Sequence, residues 1–197
     1  MIHPDTELRF ISKEIGYGVV ATKLIKKGTI TWVLDKLDRV FDQRTFNKYD
    51  SIYKEILEKY CYRDQNGKNI LCWDIARYVN HSFNSSCVST AYDFEIAVRD
   101  INPGEELTDD YGYLNVPEPF ECIKEPESDR SIVYPDDLLH YHHIWDAKAK
   151  NSFESLNSVE QPLLKFLPKQ KASKVKRIGQ GEIQMESILK CYFNPNK

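Results

Sequence analysis

No apolar run in this chain exceeds four residues, and Ile70-Leu71-Cys72-Trp73 is the longest. A membrane span needs roughly 20, so the sequence predicts no transmembrane segment. Brief apolar runs separated by turn residues predict many short strands instead. Between residues 7 and 117, Leu8 and Phe10 open a β-rich entry, Val19-Val20-Ala21 follows a glycine turn, and Thr29 to Leu34 is β-branched and aromatic. Asn66-Gly67 between YRDQ and KNILCW is a hairpin signal, and Pro103-Gly104 marks a turn after the strand EIAVRDI. Within this region IYKEILEKY predicts a helix with Ile52, Ile56, Leu57 and Tyr60 on one side and Ser51 as its N-cap.

At 197 residues the chain suits one domain with an appendage. A break at Val116-Pro117-Glu118-Pro119 divides residues 1–117 from an extension, 118–197. That extension opens with five acidic residues and one lysine between Glu118 and Asp129, which read as a solvated connector. Lys165 to Arg177 is basic and acid-free and is expected to be an exposed flexible loop rather than a nucleic-acid patch. Met185, Ile188, Leu189 and Tyr192 keep helical spacing, predicting a closing helix from Glu182 to Phe193. With 27 basic against 30 acidic side chains the net charge is −3, which argues against direct nucleic-acid binding. The N-terminal stretch has no signal pattern, giving a cytoplasmic expectation with the nucleus as the alternative. Five cysteines without a C-x-x-C point to reduced thiols and to no zinc ribbon.

Three short motifs carry the chemistry. Gly16-Tyr17-Gly18 lets backbone approach a ligand without an intervening Cβ, although alone it reads as a tight turn. Asn80-His81, within RYVNHS, offers amide, imidazole and backbone groups to a polar ligand, although alone it reads as a hydrogen-bonded structural pair. Tyr111 and Tyr113, in GEELTDDYGY, place two phenols around one glycine and suit either a narrow slot or a packed core.

Taken together and in this order, the motifs resemble those of the SET domain protein lysine methyltransferases. The resemblance covers roughly residues 7 to 117 and implies a β-rich α+β fold. Its SET-domain β-fold would have a knot-like core, followed here by a mainly helical extension. It implies an S-adenosylmethionine cofactor held by Gly16, Tyr17, Gly18, Asn80 and His81, with Phe120 stacking on its adenine. Tyr111 matches the catalytic tyrosine and Tyr113 would help wall the lysine channel. The implied partner is a protein presenting a lysine, a histone among the candidates. Methyl transfer to an amine needs alignment and exclusion of water rather than a nucleophilic triad. The amine must be neutral, which burial favours.

Several residues depart from the family pattern. Phe83 stands where members with a zinc-binding tail carry a cysteine, and in place of their following cluster of three the tail offers only Cys122, so no metal is expected. The closing segment Glu182 to Phe193 is then the candidate for covering the cofactor. Two channel positions that often carry an aromatic hold Asp109 and Ser89. Those substitutions keep a second reading open, a non-catalytic SET-like interaction module that retains cofactor binding.

Overall fold

The computed structural model describes residues 1–195. Its strands are β1 (Thr6–Ser12), β2 (Gly16–Ala21), β3 (Ile30–Val33), β4 (Arg39–Phe41), β5 (Cys61–Arg63), β6 (Asn69–Leu71), β7 (Asn80–His81), β8 (Cys87–Ser89), β9 (Phe94–Ala97), β10 (Thr108–Asp109), β11 (Phe120–Glu121) and β12 (Ile132–Val133). Four α-helices join them, α1 (Gln43–Asn47), α2 (Ser51–Tyr60), α3 (Asp137–Phe153) and α4 (Lys169–Gly179). The pairings are antiparallel except for β7 with β10, which run parallel with Asn80 opposite Thr108 and His81 opposite Asp109. Among the described residues no helix is long and apolar enough to cross a membrane.

Both predicted turns form. Asn66-Gly67 links β5 to β6, with Gly67 in the left-handed region at φ +74°, and Gly104 at φ +90° turns the chain between β9 and β10. The order β3-β9-β8 makes the central sheet. One of its faces is buried by the extension, since Ile30, Val88, Phe94 and Ile96 share a cluster with Trp145, Phe153, Leu163, Val175 and Ile188. Residues on both sides of position 117 therefore build one core. A second cluster joins Val19, Ala21, Ile25, Trp32, Val79, Ala97 and Leu107. Gln161 couples the extension to β3, accepting from the Ile30 amide at 2.9 Å and donating to the Gly28 carbonyl at 2.6 Å.

Four local expectations are corrected. The N-cap of α2 is Asp50, whose carboxylate accepts from the Ile52 and Tyr53 amides, while Ser51 is the first helical residue. Its apolar side is largely exposed, with only Leu57 buried against Phe41 and Phe46. The basic stretch is not a loop but mainly helix α4, because Val175 and Ile178 bury one face and leave the lysines outward. The closing helix is reduced to a single 3-10 turn, Ile188–Cys191, because the Glu186 amide donates to the Tyr92 hydroxyl and the Ile188 amide to Asp146. Nor is the acidic connector simply solvated, since Glu125 accepts from Ser82 Oγ and from the Phe83 and Asn84 amides.

Candidate functional site

The β1–β2 hairpin, β7 and β10 bring the three motifs to one place. Asn80 Nδ2 donates to the Tyr17 carbonyl at 3.1 Å and to Glu106, so the glycine turn and the Asn-His segment are tied directly. A Cβ on Gly18 would lie 2.2 Å from Glu106 Oε1 and 2.8 Å from Asn80 Nδ2, and only glycine permits this approach. Gly16 is at φ +86° and opens onto free space. The Tyr17 ring is exposed, edge-on to Phe10.

His81 joins the second and third motifs. Its Nδ1 accepts from the Tyr111 amide at 3.1 Å, and burial lowers its pKa to about 4, so the ring is neutral with its proton on Nε2. That Nε2 is buried without a hydrogen-bond partner among the described residues. Around it stand Phe83, Tyr111 and Phe120, with ring centroids 4.3, 5.3 and 6.2 Å from the imidazole. The result is an aromatic recess with one donor and no acceptor to meet it, which suits a flat heterocycle bearing ring nitrogens. Asn80, the Tyr17 carbonyl, His81 and Phe120 are thus brought into one neighbourhood.

Tyr111 stands between this recess and a cavity of about 740 Å³. Its hydroxyl donates to the Val79 carbonyl at 2.6 Å, and burial pushes its phenol up, so it remains protonated. Tyr111 and Phe120 both line the cavity, together with Trp32, Tyr62, Cys72 and Val79. Lys59, Glu58 and Gln43 lie at its exposed side, whereas Glu95 and Asp109 are its buried acids.

Asp109 points neither to water nor to a basic partner. Its Oδ1 accepts from the Tyr113 hydroxyl at 2.8 Å, and Glu95 lines the same cavity beside it. Burial holds both carboxyls above the usual range, Asp109 up to about 6. Tyr113 does not line the cavity. It packs edge-on against Trp145 in the core, while its hydroxyl accepts from the Asp110 amide. Ser89 also stays behind the lining, donating to Glu95 Oε1 at 3.2 Å.

Phe83 has a different use from the cysteine it replaces. The Arg130 guanidinium lies 4.3 Å from its ring centroid and 4.2 Å from that of Tyr141, and bonds both Asp110 and Asp137. Arg130 thereby clamps the extension beside the final motif. Among the described residues no group of three His, Cys, Asp or Glu could hold a metal. The closing segment, expected over the cofactor recess, packs instead on Asn115, which bonds the Cys191 carbonyl and the Phe193 amide. Phe120 of β11 is what reaches His81.

Sequence reasoning missed Glu95, Glu106, Trp32 and Arg130. A signal for Glu95 existed, because it is the lone charge in the apolar stretch Phe94-Glu95-Ile96-Ala97, all four of which are buried. Arg130 carried none beyond being the first cation after the acidic run.

Comparison with known proteins agrees with this geometry. The family model of the SET domain matches residues 16–112. The chain is also similar to a variant-silencing SET domain-containing protein of Plasmodium falciparum (isolate 3D7), 29% identical over 139 residues. That alignment covers 60% of this chain and 5% of the relative's length.

Proposed function

Because this chain carries a SET domain over residues 16–112, we propose that it transfers a methyl group from S-adenosylmethionine to a lysine side chain of a protein. The observation that carries the reading is the position of Tyr111 between the His81–Phe120 recess and the cavity. When bound, the cofactor supplies an electrophilic methyl on a sulfonium. The Tyr17 carbonyl and Asn80 would hold its amino-acid end, and His81 and Phe120 its base. The lysine enters from the cavity side, where Trp32, Tyr62, Cys72 and Val79 exclude water from the amine. Tyr111, protonated and fixed on the Val79 carbonyl, orients the reacting groups rather than acting as a base. A threaded core belongs to this reading, supported by the parallel β7–β10 pair and by the reach of Tyr111 to Val79.

The test is incubation of the protein with labelled cofactor and candidate proteins, histones included, with mass spectrometry of the products. Methyl-lysine is expected, and Tyr111→Phe should lower turnover about 10²-fold while S-adenosylhomocysteine still binds. Binding of S-adenosylhomocysteine with no transfer to any protein would favour the interaction module.

A further inference from the structure

Two acids lie at the buried end of the 740 Å³ cavity. Glu95 stands on β9 opposite Trp32 of β3, and Asp109 stands on β10 opposite His81 of β7. They come from separate sheets, are each more than nine-tenths buried, and line the same cavity. Ser89 and Tyr113 supply one donor to each, but no cationic side chain is paired with either acid among the described residues. Trp32, which lines the same cavity and is also more than nine-tenths buried, has its indole N–H without a partner among the described residues. Two buried acids and an orphaned donor in one cavity are costly to keep unless something polar enters.

We infer that Glu95 and Asp109 seat the ammonium of the incoming side chain and take one of its protons. The inference rests on the methyltransferase reading and adds to it the recognition of the amine. A primary ammonium brings three N–H donors and one positive charge, which is what two acceptor-rich carboxyls lack. In the step that follows, an N–H bond breaks and an O–H bond forms on a carboxylate oxygen, while the electron pair stays on nitrogen. An ion pair thereby becomes two neutral groups, which an apolar cavity favours because the charged forms lose their hydration.

The charges around the pair leave this role to the two acids. Tyr62, Cys72, Cys87, Tyr111 and Tyr113 are all held neutral by burial. Asp110 is paired with Arg130 and the Met1 ammonium with Asp35.

The probe is n-butylammonium chloride, titrated calorimetrically into the whole chain, with S-adenosylhomocysteine titrated separately. Wild type should bind the amine at about pH 8 and at least tenfold more weakly at about pH 5, where burial favours the protonated forms of the pair. The double variant Glu95→Gln/Asp109→Asn should bind it at least tenfold more weakly at pH 8, while keeping the affinity for S-adenosylhomocysteine. In methyl transfer the same variant should need a higher pH to reach its half-maximal rate. A folded double variant with wild-type amine affinity overturns the inference, as does an unchanged midpoint of the rate profile. If that variant does not fold, wild-type amine affinity that is equal at the two pH values overturns it alone. Failure of wild type to bind S-adenosylhomocysteine would instead strike the methyltransferase reading, whatever the amine does.

Discussion

Replacing Arg130 by methionine tests how the extension is held against the final motif. The guanidinium neutralises Asp110 and Asp137, whose side chains are 1% and 2% exposed. Removing one member of such a buried network typically costs 3–5 kcal/mol, because the remaining charge has no counter-ion. Here Asp110 would keep the Gly112 amide and the Trp145 indole as donors, and Asp137 would keep the Tyr134 amide. The lower end, about 3 kcal/mol, is therefore expected near neutral pH. Burial already outweighs Arg130 in raising both carboxyls, and without the cation they rise further. An acid whose folded pKa is raised binds more protons folded than unfolded, so the deficit should shrink as pH falls. Urea unfolding followed by tryptophan fluorescence at about pH 8 and about pH 5 measures both quantities. Adding Asp110→Asn and Asp137→Asn to Arg130→Met should recover most of the loss. A deficit below about 1 kcal/mol, or one equal at the two pH values, would refute the view that Arg130 is there to neutralise buried acids.

Two further outcomes follow from the same site. Asp109 is raised from 3.8 to about 6, which at about 1.4 kcal/mol per pKa unit sets an upper bound of roughly 3 kcal/mol on the cost of ionising it in the fold. Stability should therefore decline as pH rises from about 4 through about 6, and Asp109→Asn should flatten that decline in melting curves. Gly18→Ala places a methyl group against Asn80 and Glu106, so S-adenosylhomocysteine affinity should fall about tenfold. Gly16→Ala meets no neighbour and should instead cost about 1 kcal/mol of stability through its positive φ, as denaturation and calorimetry would separate.

What was legible in the sequence rests on local chemistry. Asn66-Gly67, Pro103-Gly104 and Gly16 each suit a turn, so those turns could be read without neighbours, whereas the contact of the glycine turn with Asn80 could not. Tyr111 was singled out only by the likeness of its motif to that of a family, since two phenols around one glycine suit a slot or a core alike. The unread parts depend on register between distant segments. Glu95 meets Asp109 only because β3 pairs with β9 and β7 with β10, and neither pairing is written in the residues around either acid. The tail had the spacing of a helix, but Tyr92 and Asp146 claim its amides, a competition that no local periodicity records.

The parallel pairing of Asn80-His81 with Thr108-Asp109 also sets when the site comes into being. Parallel strands are never joined by a tight turn, so everything from Ser82 to Leu107 must first be laid down and routed round. Non-local pairing of this kind is slow, because loop-closure entropy is spent before any contact rewards it. During synthesis the glycine hairpin and the Asn-His segment leave the ribosome well before their counterparts, and Arg130 follows later still. The meeting of the Asn-His segment with the final motif is thus a late product of maturation, reached only after the whole stretch between them has been made.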